Sequence, residues 1–382
     1  MGLKVLIANA TLATRTGTEA YVRDVALGLF RKGHSPIVYA PELGEIAEEL
    51  RRQTISVVDN LNLVGTTPDI IHGNHNTELI TALLHFESVP AVFFCHSSKD
   101  WISSPPLHPR ILKYVAVDDT CRDRLVFEHS IPEKLVRVHL HAADLERFKI
   151  RKPLPEHPGK ALVFSNNANH WTHLGTVREA CNRAGIELDV VGAGVNASSA
   201  QPEFLLPNYD LVFAKARCAL EALAVGTAVI LCDAAGSGPL VTTTDLDRLR
   251  RLNFGIRALN EKVDADLLVR QIERYDPQDA TEVSQRIRSG SDLGTVVDDL
   301  IALYHEVIDE SRERIVADRI NETRAVAEYL RWMTLAVRQR QAEYESMLSN
   351  SVTVRLRNRV GRFPFMNKLL NRMGHLARRS AE

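Results

Sequence analysis

Lys215, Arg217 and Glu221 stand within one short stretch, DLVFAKARCALEALAVGTAVILCD at 210–233, and their types point to binding of an anion joined to something rich in hydroxyls. The arginine fork matches the oxygens of a phosphate, and a carboxylate can accept both hydroxyls of a ribose. The stretch reads as an apolar strand, a basic turn, a helix carrying Glu221, then Gly226 and a second buried strand ending at Asp233. That is one strand–helix–strand unit of a parallel sheet. Ligands of such sheets bind outside the carboxyl ends of the strands, where a helix N-terminus adds free N–H groups and a positive dipole end. Two cations at a helix start oppose that dipole, which favours an anion-binding role over two idle solvated side chains. Glu221 lies among Ala219, Leu220, Ala222 and Leu223, so its helix reads as largely buried and the carboxylate needs a partner.

Other positions have the same character. Gly17 and Thr18 open the first helix and can offer backbone N–H groups to a phosphate or an acceptor, while Thr16 or Thr18 also suits a plain helix cap. Gly236 and Gly238 follow the strand ending at Asp233 and read as a second loop that exposes its backbone. Asn166, Asn167, Asn169 and His170 follow the strand ALVFSN. His96 ends the apolar run AVFFCH at a sheet's carboxyl edge, where a cleft role and a structural role are equally open. His72 and His75 flank another strand end, but histidines on separate loops do not define a metal site. His139 and His141 read as structural.

The elements that must position these residues form two α/β series. The first runs KVLIAN, a helix ended by Gly33, SPIVYAP, DIIHG, AVFFCH, YVAVDD and VRVHLH. KIRKPLPEHPGK at 149–160 has three prolines and four basic residues and reads as the linker. A second series restarts with ALVFSN, IELDVVGAG and the 210–233 unit. The expected fold is α/β, with two Rossmann-like doubly wound domains facing a cleft, at 1–150 and 151–305. Beyond them, 306–350 reads as a long helix, since no Gly or Pro interrupts some forty residues. The tail at 351–382 is strongly basic and interleaved with Phe and Leu, its only acid being Glu382. It reads as a segment for an anionic membrane surface, with packing on the protein or disorder as the plain alternatives.

The chain has 382 residues, 45% hydrophobic and 25% charged, with a formal net charge of −1, so no global field selects nucleic acid or membrane. Five scattered cysteines argue against a disulfide framework or structural zinc and fit a reducing compartment. The chain enters its first strand without a signal-type region, and no apolar stretch approaches the roughly 20 residues of a membrane span. A cytoplasmic location, peripheral to the membrane through the tail, is expected, and no nucleic-acid partner.

Taken in order, several anchors resemble the GT-B glycosyltransferases, nearest to the family-4 retaining enzymes that use nucleotide sugars. They are TGTEAYVRDVALGLFRKGH, AVFFCH, VAVDDTCRDRL…IPEKLVRVHLHAADLERF and the 210–233 unit, spanning roughly residues 3–300. The resemblance implies a sugar transfer from a nucleotide sugar to a glycan or lipid-linked acceptor in surface polysaccharide synthesis, with retained configuration and no cofactor. It gives Glu221 to the ribose and His96 to the donor sugar or acceptor. The family usually carries two glutamates eight positions apart; Glu221 fits the second, and Phe213 stands at the first. Where the family clasps the diphosphate with an Arg and a Lys, ALVFSNNANHW offers asparagines and a histidine, so Lys215 and Arg217 are expected to supply that charge. No convincing DxD metal loop is present, since DLD at 245–247 opens a helix-like stretch; the departing diphosphate would be met by fixed cations and helix N-termini. Two rivals remain on the same architecture: a nucleotide-sugar 2-epimerase, and a non-catalytic nucleotide-binding partner of another transferase.

Overall fold

A computed structural model describes residues 2–313 and 319–350; the basic tail at 351–382 lies outside the described residues. The chain divides into two compact units, 1–317 and 318–382. The first unit holds two α/β lobes.

The first lobe is a seven-stranded parallel sheet built from near-continuous apolar runs, as expected where both faces are covered. Its strands are β1 (Lys4–Ala8), β2 (Ser35–Tyr39), β3 (Ser56–Val58), β4 (Ile70–Gly73), β5 (Ala91–Cys95), β6 (Ile111–Ala116) and β7 (Val136–Val138). They lie in the order β3-β2-β1-β4-β5-β6-β7. The order reverses between β1 and β4, so a crevice opens at their carboxyl ends. Helix α1 (Gly17–Arg31) starts there, with Thr16 as its cap and the Glu19 carboxylate accepting the Thr16 N–H at 2.7 Å. Gly33 follows the helix at φ +80, a left-handed stop that glycine adopts without strain. Helix α2 (Asn76–His85) packs on β1, β4 and β5.

The second lobe has strands β8 (Lys160–Phe164), β9 (Glu187–Val191), β10 (Leu211–Ala214), β11 (Ala228–Asp233) and β12 (Gly236–Leu240), in the order β9-β8-β10-β11-β12. The first four are parallel and β12 is antiparallel. Alternation along β10 sends Leu211 and Phe213 to one apolar core and Val212 and Ala214 to the other. The sheet is therefore covered on both faces. Helix α3 (Ala216–Val225) covers one of them and ends at Gly226, φ +98. Here the expected loop at Gly236–Gly238 is corrected. These residues are the start of β12, with Asp233 opposite Gly236 and Cys232 opposite Ser237, and all three are buried.

The lobes are joined elsewhere than at 149–160. Phe148 is already wholly buried in the second-lobe core, and Arg151 is tied there through its N–H to Val225 O and its guanidinium to Asp210. The prolines of 149–160 make a surface strap, where Tyr275 Oη donates to Pro155 O. The chain crosses at His139–Ala143 and returns at 291–293. The two crossings are paired: Ala143 N–H donates to Ser291 O at 2.9 Å and Leu293 N–H to Ala143 O at 3.1 Å. Arg250, on α4 (Leu246–Arg251), clasps both by donating to His141 O and to Ser291 Oγ.

The helix expected from 306 begins earlier, as α5 (Leu293–Glu313), and its buried face belongs to the first lobe. Leu293, Val297, Leu300, Leu303, Tyr304, Val307 and Ile308 join the core around α1, each worth about 1.5–3 kcal/mol on full burial. Gly28 permits the approach, since a Cβ there would lie 2.6 Å from Val297 Cγ2. The described part of the second unit is α6 (Arg319–Asn350), 32 residues long. All five cysteines are free. Among the described residues no helix is long and apolar enough to cross a membrane.

Candidate functional site

A cleft of about 350 Å³ lies between the lobes. Thr14–Gly17, Ala20 and Arg23 line it from the first lobe; Ser165, Asn166, Gly192, Ala193, Ser199, Arg217 and Glu221 line it from the second. The second-lobe contributors sit at the carboxyl edges of β8, β9 and β10, around the point where that strand order reverses. Gly192, at φ +157, lets the end of β9 press against the Ser165 carbonyl, where any Cβ would collide.

The floor of the cleft is an ion network joining the lobes. Asp24 is buried on α1, and Arg23 donates to its Oδ1 through Nε at 2.9 Å and Nη2 at 2.7 Å. Arg217 donates through Nη2 to Asp24 Oδ2 and through Nε to Glu221 Oε1 at 2.8 Å. Arg147 Nη1 stands 3.9 Å from Asp24 Oδ1, while its Nη2 donates to Glu203 at 2.8 Å. Arg15 reaches Glu49 at 2.7 Å. Burial alone would raise the Asp24 pKa, but Arg217 and Arg23 outweigh it and hold the carboxyl at about 2. Glu221 moves the other way: burial and the Asp24 charge raise its pKa more than Arg217 lowers it. Arg217 loses to burial but gains more from the two carboxylates, so its pKa rises. One guanidinium thus serves two acids, and Asp24, with a second arginine of its own, stays charged.

Lys215 is similarly engaged. Its Nζ pairs with Asp233 Oδ1 at 3.1 Å, and the same carboxylate accepts Ser165 Oγ at 2.7 Å and Asn167 Nδ2 at 3.1 Å. Burial works against the Asp233 charge, but Lys215 and these hydrogen bonds hold its pKa below the usual range. The sequence reading leaves Lys215 and Arg217 facing an anion; the structure gives each an internal carboxylate as well.

Of the residues marked in the sequence, Thr16, Gly17, Asn166, Arg217 and Glu221 line the cleft, with Thr18 next to Gly17 inside the first turn of α1. Asn167 and Lys215 adjoin it through the Asp233 knot. Gly236 and Gly238 do not line it: a Cβ at Gly238 would meet the Ala258 carbonyl, and Ser237 N–H donates to Glu261 O, so their backbone faces protein. His96 follows the last residue of β5 and sits in a cluster of rings with Tyr21, His141 and Phe94, its Nε2 bonded to Asn74 Oδ1 at 2.8 Å. Burial lowers the pKa values of His72 and His141 to about 3 and that of His75 to about 4, so these rings are neutral.

Sequence reasoning missed Asp24, Arg23, Arg147 and Asp233. A signal existed for the first two: adjacent charges on a helix whose other residues, Val22, Val25, Ala26 and Leu29, are apolar must find partners if that face is buried.

Solved structures share this architecture. A glycosyltransferase from Rickettsia africae is 14% identical, with 80% of this chain and 99% of that chain covered and a TM-score of 0.59. Anabaena HepE, solved with UDP-glucose, is 12% identical over 80% of this chain and 100% of its own, with a TM-score of 0.58. A sucrose-phosphate synthase from Thermosynechococcus elongatus is 12% identical over 81% and 100%, with a TM-score of 0.54. No protein-family profile and no curated protein matches the sequence. At these identities the likeness establishes the fold: the chain has the two-lobe GT-B architecture, followed by a helical extension.

Proposed function

We propose that the protein is a glycosyltransferase that binds a nucleotide sugar in the interlobe cleft and passes the sugar to a glycan or lipid-linked acceptor. One observation carries this reading: the carboxyl edges of two Rossmann-type sheets face one cleft that brings together a helix N-terminus, arginines and Glu221. Glu221 Oε1 is taken by Arg217, and its second oxygen makes no hydrogen bond among the described residues, so it is placed to accept a ribose hydroxyl. The diphosphate would lie against Arg217 and the N–H groups opening α1, with Lys215 and Asn167 beside it. These fixed dipoles and cations would stabilise the charge that develops as the C1–oxygen bond breaks, with no metal required. The donor sugar would extend toward His96. Lobe closure would exclude water from the donor. The solved complex of HepE with UDP-glucose supports a nucleotide sugar as donor. Retention of configuration and a role in surface polysaccharide synthesis in the cytoplasm, with the 351–382 tail at the membrane face, extend the reading along the family resemblance.

One observation favours a second reading, nucleotide binding without transfer: Arg15, Arg23, Arg147 and Arg217 each already hold a carboxylate. A panel of UDP-, GDP-, ADP- and TDP-sugars without added metal separates the two, following heat stability and released nucleotide. Stabilisation by one nucleotide sugar with slow release of free nucleotide is the expected result. Stabilisation without release, even with acceptors supplied, favours the second reading. No response to any member overturns both.

A further inference from the structure

Helix α6 carries an apolar stripe that is bare along its second half. From Val337 to Leu348 every residue is exposed. Leu330, Val337, Tyr344 and Met347 are 49–67% exposed, and Val326 and Met333 are half-buried. Tyr329, on the neighbouring face, is buried beside Trp332, so burial and exposure fall on different sides of one helix. The stripe keeps a seven-residue step. Val326, Met333, Arg340 and Met347 form one series, and Leu330, Val337 and Tyr344 form the other, each four residues after a member of the first. These are the d and a positions of a heptad, the pattern under which two helices supercoil and the knobs of one enter the holes of the other. Ile320 and Leu335 are exposed as well but lie off this stripe.

Charge and spacing decide what covers the stripe. Between Val326 and Leu348 the helix has three arginines (Arg331, Arg338, Arg340) and three glutamates (Glu328, Glu343, Glu345). That balance is unlike the Lys/Arg-rich polar face of a helix that lies on a lipid surface. The tail at 351–382 does not match it either. Gly361, Pro364 and Gly374 leave it no uninterrupted run longer than 351–360, where Val352, Val354 and Leu356 alternate with polar residues instead of following the heptad. From Leu330 to Met347 the stripe is about 25 Å long, and a second copy of α6 offers the same length and the same step. Its direction follows from Arg340. In a parallel pair Arg340 would lie against Arg340 of the second copy, two like charges in one layer. With the stripe lapped on itself antiparallel, Leu330 meets Met347 of the second copy and Met333 meets Tyr344, a favourable sulfur–ring contact. Arg340 then meets Val337, its stem packed and its guanidinium reaching out to water.

We propose that the exposed stripe of α6 is the contact through which two copies of this chain pair, as an antiparallel coiled coil over Leu330–Met347. The pairing stands apart from the nucleotide-sugar reading, since none of its residues lines the cleft.

Sedimentation equilibrium of the full chain between about 1 and 100 μM tests this. The wild type should approach twice the 42.7 kDa of one chain as concentration rises. Val337→Glu, in the middle of the stripe, should weaken the pairing at least tenfold. Its Tm at a concentration where both proteins are monomers should match the wild type, because Val337 is half exposed. Arg340→Leu should tighten the pairing at least threefold, since a charge in the seam costs stability. Direction is read by oxidation: a mixture of Leu330→Cys and Met347→Cys proteins should give the mixed disulfide dimer, and neither protein alone should link to itself through the new cysteine. A monomer at every concentration, or a dimer that Val337→Glu leaves intact, overturns the proposal. Self-linking of each single variant without a mixed product overturns the antiparallel order.

Discussion

Replacing Asp24 with asparagine separates two roles for the arginines on the cleft floor. Asparagine keeps the shape and one acceptor oxygen but removes the charge that Arg217 and Arg23 share. Asp24 is only 4% exposed, and breaking a buried pair by removing one partner costs about 3–5 kcal/mol. Glu221 still holds Arg217 and Glu49 stands 3.6 Å from Arg23, so the expected loss is near the lower end of that range. Anion binding should move the opposite way. A phosphate on Arg217 would sit about 6 Å from Asp24, where like charges repel by about 3 kcal/mol at an effective dielectric constant of about 20. The guanidinium groups between them absorb part of this, leaving an expected gain of about tenfold, or about 1.4 kcal/mol. Urea unfolding measures the first effect, and calorimetry with the nucleoside diphosphate of the preferred donor measures the second. Weaker diphosphate binding by a folded Asp24→Asn protein would refute the reasoning: Asp24 would then orient Arg217 for the ligand instead of competing with it. Unchanged stability would refute the claim that this ion network fastens one lobe to the other.

Stability should fall steadily as pH drops below about 6.5. His72, His75 and His141 are neutral when folded, with pKa values depressed by burial to about 3, 4 and 3, so the unfolded chain binds their protons first. Each contributes stability that is complete above the unfolded pKa and is lost as pH falls toward the folded one, at up to about 1.4 kcal/mol per pH unit. His96 shifts in the same direction. Asp24 adds a further loss only between about pH 4 and 2. Urea midpoints at pH 7.5, 6 and 5 measure the slope, and a flat profile contradicts the buried neutral histidines. Tyr304→Phe removes the hydroxyl that donates to His72 Nδ1 at 2.6 Å, both groups being wholly buried. Leaving that nitrogen unpaired should cost about 1–3 kcal/mol in urea unfolding while nucleotide affinity holds; a loss below about 0.5 kcal/mol would show that this bond is dispensable.

Much of the sheet framework was legible because buried parallel strands are written as apolar runs, and Lys4–Ala8, Ala91–Cys95 and Ala228–Asp233 show it. The errors have local causes. GSGPL carries two glycines and a proline, residues depleted in strands, yet an edge position, with β11 as its one strand neighbour and a single bridge from Ser237 to Glu261, accepts them. Proline and charge at 149–160 resemble a linker, whereas the real crossing, HLHAA, lacks linker composition because a second backbone segment pairs with it. Leu293–Glu313 was placed too late because Gly294 and Thr295 interrupt the pattern at its start. In the site, the i,i+4 pair Arg217–Glu221 is visible along one helix. Its third member, Asp24, lies 193 residues away, and no local pattern says which buried charge meets which.

The return of α5 to the first lobe makes the second lobe an insertion in the path of the first. On a ribosome the chain through β7 emerges with the apolar side of α1 still bare, because Val297, Leu300, Tyr304 and Val307 are not yet made. At roughly 5–20 residues per second, the stretch from β7 to Ile308 takes about 10–30 seconds to synthesise. The second lobe, continuous from Asp144 to about Ser291, can mature within that interval. The amino-terminal lobe is thus begun first and finished last, and its unfinished surface is what a chaperone would meet.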